Sequence, residues 1–114
     1  MKLKDLEAFA LALPGATLDF PFGPEARVYK VGGKMFALSG GAQSAPARVS
    51  FKCSEIGYEM LVGRKGLMPA PYLARAKWVR LEDPGALDAA ELKARIGEAH
   101  RLVVARLPKK SRPE

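Results

Sequence analysis

Residues 26–39 read "ARVYKVGGKMFALS". Two short runs rich in β-branched and aromatic residues flank Gly32-Gly33. A Gly-Gly pair between such runs supplies positive φ at both central positions of a tight hairpin turn. The stretch therefore predicts a strand over 26–31, a turn, and an antiparallel return over 34–39. Everything else in the chain is arranged around that hairpin.

Downstream, "ARVSFKC" at 47–53 alternates cleanly. Val49, Phe51 and Cys53 fall on one face, and Arg48, Ser50 and Lys52 on the other. This is the pattern of a half-buried strand with one wet, basic face. "GGAQSAP" at 40–46 is the hairpin loop leading into it. Upstream, "ATLDFPF" at 16–22 predicts a short strand that ends at Pro21, followed by a Gly23-Pro24 turn. "RAKWVRLE" at 75–82 alternates as a further strand, and "GLMPAPY" before it reads as Pro-rich loop.

Three helices complete the order. Leu3, Leu6, Phe9, Ala10 and Leu13 recur at helical spacing over residues 2–13, and Pro14-Gly15 stops that helix. Ser54 is placed to cap a helix at about 55–63. Asp88 caps a long helix to about 107 whose Leu92, Ile96, Ala99, Val103 and Leu107 form one apolar stripe. The predicted order is α-β-β-β-β-α-β-α. Consecutive strands with short turns imply an antiparallel sheet, and the helices need a sheet face to cover. The expected fold is α+β: two layers, with helices packed on one face of the sheet and the other face open. The domain spans 1–107, and 108–114, "PKKSRPE", is a basic, loose tail.

The chain has 114 residues, 48% of them apolar and 27% charged, a globular composition large enough for one core. No apolar run reaches the length of a membrane span. Asp5 and Glu7 interrupt the faint likeness of the N-terminus to a signal peptide. One cysteine, Cys53, allows no internal disulfide, and a cytoplasmic location is expected.

Cys–His catalysis needs both groups within hydrogen-bond reach. Cys53 shares a strand face with Val49 and Phe51, and His100 lies beside the apolar stripe of the last helix; both read as packing residues. Two Cys/His residues are too few for a structural zinc. In "VGGKMF" a phosphate loop would need a Gly at Val28 and a Ser or Thr at Met35, so the hairpin explains the glycines better. No catalytic constellation, metal site or cofactor site emerges, and a non-enzymatic protein is expected.

The net charge is +7. Residues 1–57 hold seven Lys/Arg and five Asp/Glu, a net of +2; residues 58–114 hold twelve and seven, a net of +5. Such a chain attracts polyanions, nucleic acid before membrane. "GRKGLMPAPYLARAKWVR" at 63–80 has no acidic residue and contains the only Trp. If Val79 and Leu81 face the core, Trp78 and Arg80 face the open side, joined by Arg48, Lys52 and Lys30. Such a surface suits phosphate contacts with base stacking. If the Trp78 side points inward instead, the surface loses its aromatic. Lys77 alternates with Val79 and Leu81 and is drawn toward the buried side. The candidate nucleic-acid contacts are thus Lys30, Arg48, Lys52, Arg64, Lys65, Tyr72, Arg75, Lys77, Trp78, Arg80, Lys109 and Lys110.

Five ordered pieces carry a family resemblance: "LALPGATLDFPFG" at 11–23, "VYKVGGKMFAL" at 28–38, "SFKC" at 50–53, "PYLARAKWVRL" at 71–81 and "RLVVARLPKK" at 101–110. Together they resemble the MmcQ/YjbR-like family of small bacterial proteins. The resemblance implies a fold similar to bacterial frataxin (CyaY-like) and DNA binding through a double-wing arrangement. It brings no catalytic residues. Frataxin-type iron chemistry would need an acidic first helix, whereas here Asp5 and Glu7 are offset by Lys2 and Lys4. The family is often richer in polar and His-like residues before the Trp; here Ala74 and Ala76 stand there, which implies an altered contact. The expected function is non-enzymatic binding of double-stranded DNA with little sequence preference, by a monomer. The alternatives are a protein-interaction module using the open sheet face, and a small-ligand pocket near Tyr72 and the "DFPFG" turn.

Overall fold

The computed structural model describes residues 1–40, 48–71 and 73–113. Its elements are α1 (Leu3–Ala12), β1 (Ala16–Asp19), β2 (Ala26–Val31), β3 (Lys34–Gly40), β4 (Arg48–Lys52), α2 (Glu55–Val62), β5 (Leu67–Pro69), β6 (Trp78–Leu81) and α3 (Ala89–Arg106). Six antiparallel strands form one sheet in the order β1-β2-β3-β4-β6-β5. The helices cover one side of it, the α+β arrangement expected from the sequence.

The Gly32-Gly33 hairpin is present, with φ of 59° and 80°. Ser54 and Asp88 cap their helices through side-chain bonds from Gly57 N–H at 3.0 Å and Glu91 N–H at 2.8 Å. Three expectations need correction. The Pro-rich stretch 66–72 is not all loop: Leu67–Pro69 is an edge strand, which adds one β to the expected order. An edge tolerates Pro69 because its missing N–H faces away from the ladder. The first strand ends at Asp19 rather than at Pro21. The strand expected over 75–82 begins only at Trp78, because Ala74–Ala76 form a 3₁₀ turn closed by Lys77 in the left-handed conformation, φ 62°.

Register separates the two faces. Cross-strand partners share a face, and successive residues alternate. Leu18, Tyr29, Ala37, Phe51, Val79 and Pro69 make one row across the six strands; Asp19, Val28, Leu38, Ser50, Arg80 and Met68 make the next. The first row faces the helices. Tyr29, Ala37, Phe51 and Val79 share the core with Leu3 and Leu6 of α1, Leu61 of α2, and Leu92, Ile96, Ala99 and Val103 of α3. A bulge between the Tyr29–Ala37 and Lys30–Met35 pairs turns both Phe36 and Ala37 inward. Phe36 meets the His100 ring edge-on at 5.3 Å, and His100 Nε2 lies 2.7 Å from the Pro14 carbonyl oxygen. His100 thus fastens α3 to the end of α1.

α3 runs until its C-terminal end overhangs the hairpin turn. There Leu107 lies against Gly32, where a Cβ would come within 2.5 Å of its side chain. The segment after α3, expected to be loose, folds back: Arg112 donates from Nε to Leu107 O at 2.9 Å and from Nη2 to Ala105 O at 3.0 Å. The turn between β2 and β3, the end of β4, the start of β6 and the end of α3 therefore converge at one end of the sheet.

Candidate nucleic-acid interface

The twelve basic and aromatic candidates divide by location. Three are neutralised in ion pairs. Lys30 Nζ lies 2.9 Å from Asp19 Oδ2, Arg64 Nη1 3.0 Å from Glu91 Oε2, and Arg80 Nε 3.3 Å from Glu82 Oε2. The hydrogen bond from Lys30, aided by one from Phe20 N–H, holds the Asp19 carboxyl below its ordinary value. Arg64 also donates to Ala86 O at 3.1 Å, so it braces the loop after α2 against the approach to α3. Arg48 is exposed and borders a shallow groove of about 210 Å³ shared with Arg80 and Glu25. Lys65 is exposed beside Arg64. Tyr72 lies outside the described residues.

The pairing of Trp78 with Arg80 in solvent does not occur. They share a face by register, but Trp78 is 3% exposed while Arg80 stands in water. The reason is local. The 3₁₀ turn folds back on the start of β6, Trp78 N–H donates to Leu73 O at 3.2 Å, and Ala70 N–H to Trp78 O at 3.0 Å. Leu73 and Ala76 then wall the same cavity as the indole. Arg75 and Lys77 accordingly do not alternate with Val79 and Leu81. Arg75 is exposed on the turn, while Lys77 leaves the open side and places its Nζ 5.0 Å from the Tyr58 ring centroid on α2.

The convergent end of the sheet collects the other cations. Two cavities adjoin there, of about 390 and 450 Å³, both lined by Lys52, Ala76 and Arg106. Arg75, Lys77 and Glu55 add to the first; Lys34, Met35, Leu73 and Trp78 add to the second. Among the described residues, no ion pair involves Lys34, Lys52, Arg75, Lys77 or Arg106. Lys52 Nζ donates to Ala76 O at 3.0 Å. Burial first, and then the nearby Arg106 charge, push the Lys52 ammonium below its ordinary value. Lys109 and Lys110 are exposed on the next turn of chain, after Pro108, which lines the second cavity.

The structure thus brings together Lys52, Arg75, Lys77 and Trp78, flanked by Lys109 and Lys110. It leaves Lys30, Arg48, Arg64, Lys65 and Arg80 elsewhere. Sequence reasoning missed Lys34 and Arg106. Lys34 follows the hairpin turn, and Arg106 precedes the last apolar residue of the α3 stripe, so only the meeting of hairpin and helix end makes them neighbours.

Cys53 borders the first cavity, but burial pushes its thiol up to about 11, the opposite of an activated nucleophile. Among the described residues, no three Cys, His, Asp or Glu side chains are grouped to hold a metal ion, and no helix is long and apolar enough to cross a membrane.

A six-stranded antiparallel sheet with helices on one side and a cationic notch at one sheet end defines a small one-sided α+β domain. The chain belongs to the YjbR family, whose model matches residues 11–102. It is 30% identical over 104 residues to the uncharacterised protein YbdF of Escherichia coli O157:H7, covering 89% of this chain and 83% of that one. The crystal structure of Deinococcus radiodurans protein DR2400, with its DUF419 domain, superposes with a TM-score of 0.83 at 26% identity, over 96% of this chain and 84% of the other. A Pseudomonas syringae protein of known structure shares the fold, with a TM-score of 0.73 at 18% identity over 90% and 98%.

Proposed function

We propose that the protein is a non-enzymatic nucleic-acid-binding domain that grips the phosphate backbone of double-stranded DNA at the convergent end of its sheet. The observation that carries this reading is the group of five cations, Lys34, Lys52, Arg75, Lys77 and Arg106, around two adjoining cavities, none of them in an ion pair among the described residues. Among the described residues, Glu55 is the one carboxylate lining either cavity and forms no ion pair with these cations, and like charges held together in such excess are costly unless an external polyanion neutralises them. On the open sheet face Lys30 and Arg80 are paired, which weakens the positive charge around the exposed Arg48.

Burial of Trp78 supports a duplex over a single strand. Single-strand binders stack bases on exposed aromatics, and this indole is covered. Duplex binding by phosphate contacts needs no such platform and carries little sequence preference. The test is a titration of duplex DNA at several salt concentrations. Five phosphate contacts give a slope of log K against log salt of roughly −4.5. Absence of binding at about 50 mM salt would end this reading.

A further inference from the structure

The larger cavity has two kinds of wall. Trp78, Met35, Leu73, Val103 and Leu107 supply apolar surface, and Lys34, Lys52 and Arg106 supply positive charge. Its volume of about 450 Å³ lies within the usual size of small-ligand clefts, roughly 300–1,000 Å³. Among the described residues lining it, no side chain is a carboxylate, amide or hydroxyl. A ligand rich in hydroxyls or in base-type donors would leave those groups unpaired, a costly outcome in an apolar cleft. Sugars and nucleotides fit poorly for that reason.

The end of α3 carries a second pointer. Unpaired carbonyls at a helix C-terminus act as about half a negative charge and repel anions. Arg112 donates to two of them, at Leu107 O and Ala105 O. The carbonyl end bordering the cavity is thereby offset by a guanidinium. Lys52 also keeps two protons beyond the one directed to Ala76 O, available for an acceptor.

We infer that this cavity is a binding site for a small organic carboxylate with an apolar body, the body lying against Trp78 and Leu107 and the carboxylate between Lys34, Lys52 and Arg106. The site overlaps the proposed DNA surface, since Lys34, Lys52 and Arg106 serve both, but its occupation by a carboxylate does not depend on DNA.

Octanoate is a suitable probe, because it does not absorb where Trp78, the only indole, emits. The full chain is titrated without nucleic acid while indole emission is followed. Octanoate is expected to give a saturable change, and octanol, the same body without charge, to bind about tenfold more weakly, the loss of a charge-assisted contact. Arg106→Gln and Lys34→Gln, each checked for an unchanged melting curve, weaken octanoate by about the same factor, while Arg80→Gln leaves it alone. Four results overturn the inference: no saturable change, equal binding of octanol, equal binding of inorganic phosphate, or tighter binding of deoxyadenosine monophosphate than of octanoate. Because DNA is absent, none of these outcomes bears on the duplex reading, and failure of duplex binding leaves the carboxylate site standing.

Discussion

Arg80 and Lys52 lie on neighbouring strands, on the same side of one sheet, and belong to two electrostatic regions. Arg80 and Lys30 each have a carboxylate within 3.3 Å, Glu82 just past the end of the same strand for Arg80 and Asp19 on the adjoining strand for Lys30. The charge that acts most strongly on Lys52 is another cation, Arg106, brought there by the end of a helix. Total charge does not distinguish the regions. What differs is whether the fold places acids beside the bases, so a basic composition becomes a directional field only where the topology leaves cations unpaired.

The largest effect expected from this contrast is on stability, at two positions two residues apart. Trp78 is buried and Arg80 is not. Trp78→Ala should cost about 3–5 kcal/mol by emptying its site. Arg80→Ala should cost less than about 1 kcal/mol, since it loses only an exposed ion pair. Denaturant melts of the two variants compare them directly. Similar costs would mean that Trp78 is not covered by the 3₁₀ turn.

That pair also shows what could be read from the sequence and what could not. Strand alternation correctly put Trp78 and Arg80 on one face, but Lys77 leaves that face through its left-handed backbone at the close of the 3₁₀ turn, not through alternation. The hairpin glycines, the caps at Ser54 and Asp88, and the core face of β4 were equally legible, because each depends on neighbours within a few residues. Burial of Trp78 was not, because it arises from a 3₁₀ turn whose Ala74-Arg75-Ala76 has no strong local signature. The strand at Leu67–Pro69 was hidden by its proline, admissible only at an edge. Lys34 and Arg106 were invisible as neighbours because they lie 72 positions apart in sequence and meet only where α3 ends over the hairpin.

The second effect concerns binding. Neutralising Lys52, Arg75 and Arg106 together to Gln should flatten the salt slope for duplex DNA from roughly −4.5 to about −1.8. The matched triple change Lys30→Gln, Arg48→Gln, Arg80→Gln removes as much charge from the other region and should leave the slope nearly as it was. Filter-binding or anisotropy titrations across a salt series provide the slopes. Equal flattening by both triples would erase the distinction between the regions and leave only net charge.

The third effect probes the boundary of the cationic region at Cys53. If the nearby cations governed the sulfur, its pKa would fall; burial instead raises it to about 11 from an ordinary 9.0. Below pH 9 the thiol is protonated whether the chain is folded or not, and its contribution to stability is whole. As pH rises from 9 to about 11 the unfolded chain ionises first, so stability is lost, at no more than about 1.4 kcal/mol per pH unit for one proton. Cys53→Ala should remove that component. The difference between the melts of the two proteins over pH 8–11 isolates it from Tyr29, whose hydroxyl burial also pushes up. A flat difference would mean that Arg95 and Lys52 cancel the effect of burial, and a difference of opposite sign would mean that they outweigh it.

The smallest effect tests whether the paired region is electrostatically quiet. The Lys30–Asp19 contact is short, 2.9 Å, yet Asp19 is exposed, so solvent screens it. Exposed pairs of this kind contribute about 0–1 kcal/mol. Asp19→Asn frees Lys30 without moving the strand and adds one unpaired cation to the open face. Stability should change within that range, and duplex affinity should rise only slightly, because one isolated cation adds at most about 0.9 to the salt slope and stands apart from the convergent end. A gain as large as the loss from the Lys52, Arg75 and Arg106 triple would show that DNA lies across the open face. Pairing by Asp19 would then be what keeps that face weak, and the two regions would exchange roles.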